Sequence, residues 1–194
     1  MSDSDHAERD KQRVARIRDG DREAFEAMFQ AYAEPLCKFT EQYTASPEIA
    51  EEIVQDLFLK IWKNRRGWSP SGSVKSYLYT AARNLALDYL KHERVVDEWK
   101  EEASQDGSST LKAPDENLRH KELHRAVRSA VEDLPQRCKE VFELSRQHGL
   151  TYKEIASVLN ISVKTVETHM RRAFESLREQ LAPHRLSESI EGED

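Results

Sequence analysis

Cysteine is scarce in this 194-residue chain: Cys37 and Cys138 are the only two, about a hundred positions apart. That excludes a disulfide framework and the closely spaced thiols of a zinc site. Each lies among apolar neighbours, so buried free thiols are expected. Long apolar runs are missing as well. None approaches the roughly 20 residues that span a bilayer, so no membrane insertion is expected. The first residues, MSDSDHAERDKQR, offer no apolar core for a signal peptide, which points to a cytoplasmic protein. Basic charge is in deficit, with 30 Lys and Arg against 36 Asp and Glu and a formal net charge of −6.

Catalytic constellations are also lacking. The nearest approach to a phosphate loop is GWSPSGSV at 67–74, with Ser73 where the lysine belongs. His120 and His124 stand four apart, with Glu116 the only further candidate ligand nearby, so they read as surface histidines rather than a metal site. No catalytic residue, metal, cofactor or small-molecule substrate is expected.

What the chain does have is helical periodicity and blocks of charge. Residues 48–56 carry four acids and no base, and residues 60–95 carry eight bases against two acids. Residues 97–118 return to seven acids and two bases, and residues 119–182 hold twelve bases and nine acids. Two locally positive modules are therefore hidden in an acidic total. No strand-like alternation of useful length occurs. The fold class is all-α, two small helical domains joined by a flexible acidic linker. The segments run as a disordered tail over 1–12, a first module over 13–95, a linker over 96–118, a second module over 119–183 and an acidic tail over 184–194.

In the first module, Asp21 is placed to cap a helix presenting Phe25, Met28, Phe29 and Tyr32. In AEEIVQDLFLKIW, residues Ala50, Ile53, Val54, Leu57, Phe58 and Ile61 follow helical spacing and should face a core. The opposite face shows Glu51, Glu52, Gln55 and Asp56 with Leu59 among them. Two readings stand side by side, a solvated face and a docking face with one apolar anchor. Ser73 is placed to cap a third helix with an inner stripe of Val74, Tyr77, Leu78, Ala81, Ala82, Leu85 and Tyr89. Its outer face would carry Lys75, Tyr79, Arg83, Asn84, Leu87, Asp88 and Lys91, bases with an aromatic interleaved, which suits nucleic acid.

In the second module, Leu123, Val127, Ala130, Val131 and Leu134 line one helix, and a second runs to His148 with Gly149 as its left-handed cap. Thr151 and Glu154 make a capping box, T-x-x-E, for a short third helix. Asn160 suits a tight turn, and Ser162 caps the last helix. There Val163, Val166, Met170, Phe174, Leu177 and Leu181 cluster on one side. Lys164, Thr168 and Arg172 point away, with Thr165 and Arg171 beside them. This is the outline of a helix-turn-helix whose second helix enters the major groove. Ser162, Lys164 and Thr165 lie in the first turn, where free N–H groups favour phosphate.

The order of these pieces resembles an extracytoplasmic-function sigma factor of bacterial RNA polymerase. GDREAFEAMFQAY (20–32), AEEIVQDLFLKIW (50–62) and SYLYTAARNLALDYLKHER (76–94) look like successive parts of sigma domain two. LPQRCKEVFELSRQHGLTYKEIASVLNISVKTVETHMRRAFESL (134–177) looks like sigma domain four, so the resemblance spans nearly everything but the tails. It implies that Glu51, Glu52, Gln55, Asp56 and Leu59 dock on the coiled coil of the polymerase β′ subunit. It implies that Arg83, Asn84, Asp88 and Lys91 lie near the minus-ten element, with Tyr79 on the same face. The loop from Trp68 to Ser73 would form a pocket for a flipped base. Ser162, Lys164, Thr165, Thr168, Arg171 and Arg172 would read the minus-thirty-five element. The partners implied are core RNA polymerase, through its β′ coiled coil and β flap, promoter DNA and an anti-sigma factor. ISVKTVETHMRRA also resembles the output module of response regulators, whose receiver would be α/β and so at odds with an all-helical first module. A helical adaptor that never reads DNA is the third reading, and the outward Lys164, Thr168 and Arg172 speak against it.

Overall fold

A computed structural model provides the structure; it describes the backbone of residues 3–98 and 118–190 and the side chains of residues 8–93 and 125–182. Among the described residues there are eight α-helices and no strand. They are α1 (Asp3–Arg18), α2 (Arg22–Thr44), α3 (Pro47–Lys63), α4 (Val74–Glu98), α5 (Leu118–Glu132), α6 (Gln136–Arg146), α7 (Tyr152–Leu159) and α8 (Val163–Ile190). A single 3-10 turn, Arg65–Gly67, follows α3. The chain divides into two compact units. Helices α1 to α4 belong to the first, and α5, α6, α8 and most of α7 to the second.

In the first unit α2, α3 and α4 pack on one another, and α1 lies against α2, α4 and the 3-10 turn. Helix α2 starts where the Asp21 carboxylate accepts from the Ala24 N–H at 3.0 Å, the expected N-cap. A second bond, from the Arg16 guanidinium at 2.7 Å, ties that cap to α1. Helix α3 starts at Ser46, whose hydroxyl accepts from the Ile49 N–H, with Pro47 in the first turn. All six apolar positions read for α3 are buried. Facing them are Met28, Leu36 and Phe39 of α2 and Leu78 and Ala82 of α4, each with essentially no exposed surface. Burying each of the four larger side chains contributes roughly 1.5–3 kcal/mol, and the Ala82 methyl less.

The tail expected over residues 1–12 is not disordered in the described part: α1 begins at Asp3. Asp10 is buried because the Tyr32 hydroxyl and the Arg13 guanidinium both donate to its carboxylate. A buried carboxylate needs such partners, and a polar run shows no trace of them in its periodicity.

In the second unit α5 and α6 pack on α8. Ala130, Val131, Leu134, Cys138, Ala173 and Leu177 form the core, with Phe142 and Leu181 packed against it. Val127 is 38 % exposed and stays outside that core, contrary to expectation, and the Leu123 side chain lies outside the described residues. Helix α6 ends at Arg146; past it Gly149 takes φ +60° and the Leu150 N–H reaches the Leu144 carbonyl at 2.9 Å. The capping box forms in full. The Thr151 N–H donates to Glu154 at 2.8 Å, and the Glu154 N–H donates to the Thr151 hydroxyl at 3.3 Å. Asn160 sits at φ +54°, and the Ser162 hydroxyl accepts from the Thr165 N–H at 3.1 Å. Helix α8 then runs to Ile190, further than its apolar pattern predicts. The linker expected over 96–118 has α4 reaching to Glu98 and α5 starting at Leu118, and the rest lies outside the described residues. Residues 191–194 of the expected acidic tail lie outside them too.

Candidate polymerase and nucleic-acid surfaces

Three surfaces gather the residues singled out above. The first is the outer face of α3. At about 100° per residue, Glu48, Glu51, Glu52, Gln55, Asp56 and Leu59 fall within an arc of about 140°, with Leu59 near its middle. All six are exposed, and Leu59 keeps 47 % of its surface free. The Ser46 hydroxyl donates to Glu48 at 2.8 Å and holds its carboxyl below the usual range. Gln55 donates to Glu51 at 3.1 Å. An apolar side chain ringed by carboxylates offers a contact point to a partner with cations around an apolar hollow.

The second surface is a cavity of about 970 Å³ between the end of α3, the 3-10 turn and α4. Trp68, Tyr77, Ala81, Asn84 and Leu85 line it, and Lys60, Lys63, Arg65 and Arg66 stand around it. Pockets that enclose small organic molecules measure roughly 300–1,000 Å³, so a planar base has room here. Arg65 is held in place: its guanidinium lies over the Trp62 ring at 4.5 Å and donates to the Trp62 carbonyl at 2.9 Å. Trp68 is 5 % exposed and meets Tyr77 edge to face at 5.9 Å. Trp68 is thus part of the wall rather than a free surface ring.

Two expectations for α4 need correction here. Tyr79 is not on the outer face: it is 1 % exposed and packs against Phe39 in the core. It has no surface to offer DNA, and burial pushes its phenol pKa well above the usual value. The buried arc of α4 is Val74, Leu78, Tyr79, Ala82 and Ala86, turned by roughly 50° from the expected stripe. That turn leaves Tyr77, assigned to the core by periodicity, in the cavity wall. Of the remaining residues expected at the minus-ten element, Asn84 lines the cavity, and Arg83 is half-buried. Asp88 and Lys91 are exposed further along the helix and pair with each other at 3.5 Å. The cavity also gathers Lys60, Lys63, Arg65 and Arg66, which periodicity does not single out; the KIWKNRR run is their signal in the sequence.

The third surface is the first half of α8. Val166, Met170, Ala173 and Leu177 are buried on one side. Lys164, Thr168, Arg171 and Arg172 occupy the opposite arc, with Ser162 at the start of the helix. Thr168 is half-buried and donates to the Lys164 carbonyl at 2.9 Å, and Thr165 is half-buried with its hydroxyl against Ser162 at 2.8 Å. Arg171 pairs with Glu175 at 3.4 Å, whereas Lys164 and Arg172 have no carboxylate partner among the described residues. Val163 and Phe174, expected inside, are 37 % and 39 % exposed. His169 turns towards α6, where its Nδ1 lies 3.7 Å from Cys138 Sγ. Cys138 is buried and Cys37 half-buried, and burial raises both thiol pKa values, so neither is a ready thiolate.

Among the described residues no group of His, Cys, Asp and Glu is arranged to hold a metal, and no helix is long and apolar enough to cross a membrane. The side chains of His120 and His124 lie outside the described residues.

Comparison with known proteins covers both helical units. The sigma-70 region 2 family matches residues 28–95, and the sigma-70 region 4 family matches residues 124–177. The RNA polymerase sigma factor CarQ of Myxococcus xanthus is 31 % identical over 170 residues, spanning 87 % of this chain and 95 % of that protein. The ECF RNA polymerase sigma factor SigK of Mycolicibacterium vanbaalenii is 28 % identical over 166 residues, 83 % of each chain. The fold resembles that of the sigma factor RpoE from Bartonella quintana, solved with the anti-sigma factor NepR. The TM-score is 0.61 at 19 % identity, covering 81 % of this chain and 96 % of that one.

Proposed function

Since this chain belongs to the extracytoplasmic-function sigma factors of bacterial RNA polymerase, we propose how promoter recognition is divided among its three surfaces. As a sigma factor it binds core RNA polymerase and directs initiation at chosen promoters. The reading as a response-regulator output module or a DNA-blind adaptor is not favoured, because the region 2 match falls on the first helical unit.

In this division, the α3 face docks on the β′ coiled coil. Leu59 is the apolar anchor, and Glu51, Glu52, Gln55 and Asp56 form its polar surround, the arrangement in which a few central side chains carry most of the affinity. The cavity beside α4 takes a base of the minus-ten element out of the stack. Unstacking costs a few kcal/mol, which a ring-lined pocket offsets by stacking and edge hydrogen bonds. Asn84 reads the edge, Trp68 and Tyr77 supply the walls, and Arg83, Asp88 and Lys91 flank the strand. On α8, Ser162 and Thr165 grip phosphate at the helix start, while Lys164, Thr168, Arg171 and Arg172 face the bases of the minus-thirty-five element. The domains run over 13–95 and 119–183, the second also meeting the β flap, and the acidic stretch 96–118 joins them. A tether between two weak DNA contacts raises their effective concentration. An anti-sigma factor, like the one held by the Bartonella relative, is the natural inhibitor, and the working place is the cytoplasm.

The observation that carries this reading is the cavity: a space roomy enough for a base, lined by two aromatic rings, two amides and four cations, between the end of α3 and α4. Run-off transcription with purified core polymerase and a promoter library tests it. Transcripts are expected with the wild-type protein and none with Lys164→Ala/Arg172→Ala, while core binding survives. Specific transcripts from the double variant, or loss of its core binding, would contradict the assignment of α8.

A further inference from the structure

We propose that Arg18 and Arg66 form a phosphate-binding notch beside the base cavity, holding the backbone of the same DNA strand; this rests on the reading of that cavity given above. Arg18 closes the last turn of α1 and Arg66 lies in the 3-10 turn, and these two elements pack together. With Ala15 and Asp19 they line a second cavity of about 500 Å³. Arg66 also lines the larger cavity, so the two spaces adjoin at its side chain.

The neighbouring arginines are committed to the fold. Arg13 is bound to Asp10, Arg16 to Asp21, and Arg65 to Trp62. Arg18 and Arg66 are exposed, and neither pairs with a carboxylate among the described residues. A nucleotide held by its base carries a phosphate on either side. A pair of guanidiniums adjoining the base cavity is where one of those phosphates falls, and guanidinium suits phosphate through its fork of donors. Two features oppose an anion here, the Asp19 carboxylate and the partial negative charge at the C-terminus of α1. Two cations rather than one overcome them. The notch carries no sequence information and fixes the register of the strand on the protein.

The experiment uses holoenzyme, this chain bound to core polymerase, with a fluorescent single-stranded oligonucleotide covering the minus-ten element. Binding is followed by anisotropy against salt. Arg18→Ala should flatten the log–log salt dependence by about 0.7, the share of one phosphate on a single strand. It should weaken binding several-fold whatever the base sequence, while Arg18→Lys keeps the slope and Asp19→Asn binds more tightly. Neutral methylphosphonate linkages placed one at a time locate the contact. One linkage should cost the wild type several-fold and cost Arg18→Ala nothing further. An unchanged slope in Arg18→Ala, or a linkage profile identical to that of the wild type, would overturn the notch alone. Asn84→Ala should alter base preference and leave the slope intact. If it leaves base preference unchanged, the cavity reading fails and the notch falls with it.

Discussion

The rings of Phe39 and Tyr79 meet in the core of the first unit with centroids 5.0 Å apart and planes inclined at 54°. This pair makes Tyr79 a structural residue. Tyr79→Ala should destabilise the first unit by about 3–5 kcal/mol, the usual cost of emptying a buried aromatic site. Chemical denaturation followed by tryptophan fluorescence measures it. A loss under about 1 kcal/mol would mean that the ring is not packed as described.

Burial raises the phenol pKa of Tyr79. Burial, followed by the bond to the Asp10 carboxylate, raises that of Tyr32. A pKa raised on folding favours the protonated native state, so this contribution is fully present below the unfolded value of about 10 and is lost as pH climbs above it. Each phenol makes the decline steeper by up to about 1.4 kcal/mol per pH unit. Denaturation midpoints taken from about pH 8 to about pH 11 should fall at the alkaline end. Tyr32→Phe should make that decline shallower, and an unaltered decline would show that Tyr32 titrates freely in the folded protein.

The capping box opens α7, the helix that leads into the turn before α8. Thr151→Ala and Glu154→Ala should each cost about 1 kcal/mol, as cap losses commonly do. The double variant should cost less than the sum, because each bond serves the same helix end. Additive losses would show that the two side chains act separately.

On the α3 face, Asp56→Ala/Leu59→Ala should lower affinity for core polymerase by at least tenfold, the effect of losing one central anchor. Both side chains are exposed, so the thermal midpoint of the free protein should hardly move. Full affinity in the double variant would assign the acidic strip to solvent.

Much of this was legible in the sequence where a single helix settles the matter by itself. The Asp21, Ser73 and Ser162 caps, the Thr151–Glu154 box and the turn at Asn160 are local chemistry, and they stand where spacing put them. The six core positions of α3 agree because one clean apolar arc admits one orientation. Helix α4 was harder. Its apolar residues spread over more than half the circumference, with Tyr77 and Tyr79 pointing to different sides. Which ring goes inside depends on what α2 and the 3-10 turn present to it, and periodicity holds no such information. Asp10 was invisible for a related reason, since its partner Tyr32 lies 22 positions away. The candidate base site was half legible: the loop from Trp68 stood out, while the cations ahead of it looked like ordinary surface charge.

The two glycines of the loop between α3 and α4 differ in what they can accept. Gly67 sits in the wall of the base cavity, and a Cβ built on it meets nothing within 4 Å; Gly72, further along the same loop, also has open space but holds φ +79°. A new side chain at position 67 is therefore accepted at the cavity wall without displacing a packed atom, whereas position 72 resists one through its backbone. On the proposed reading of this cavity as the site of a flipped base, single substitutions at position 67 change promoter preference and leave the helical scaffold undisturbed, a short path by which a duplicated copy of this chain would come to serve a different set of genes.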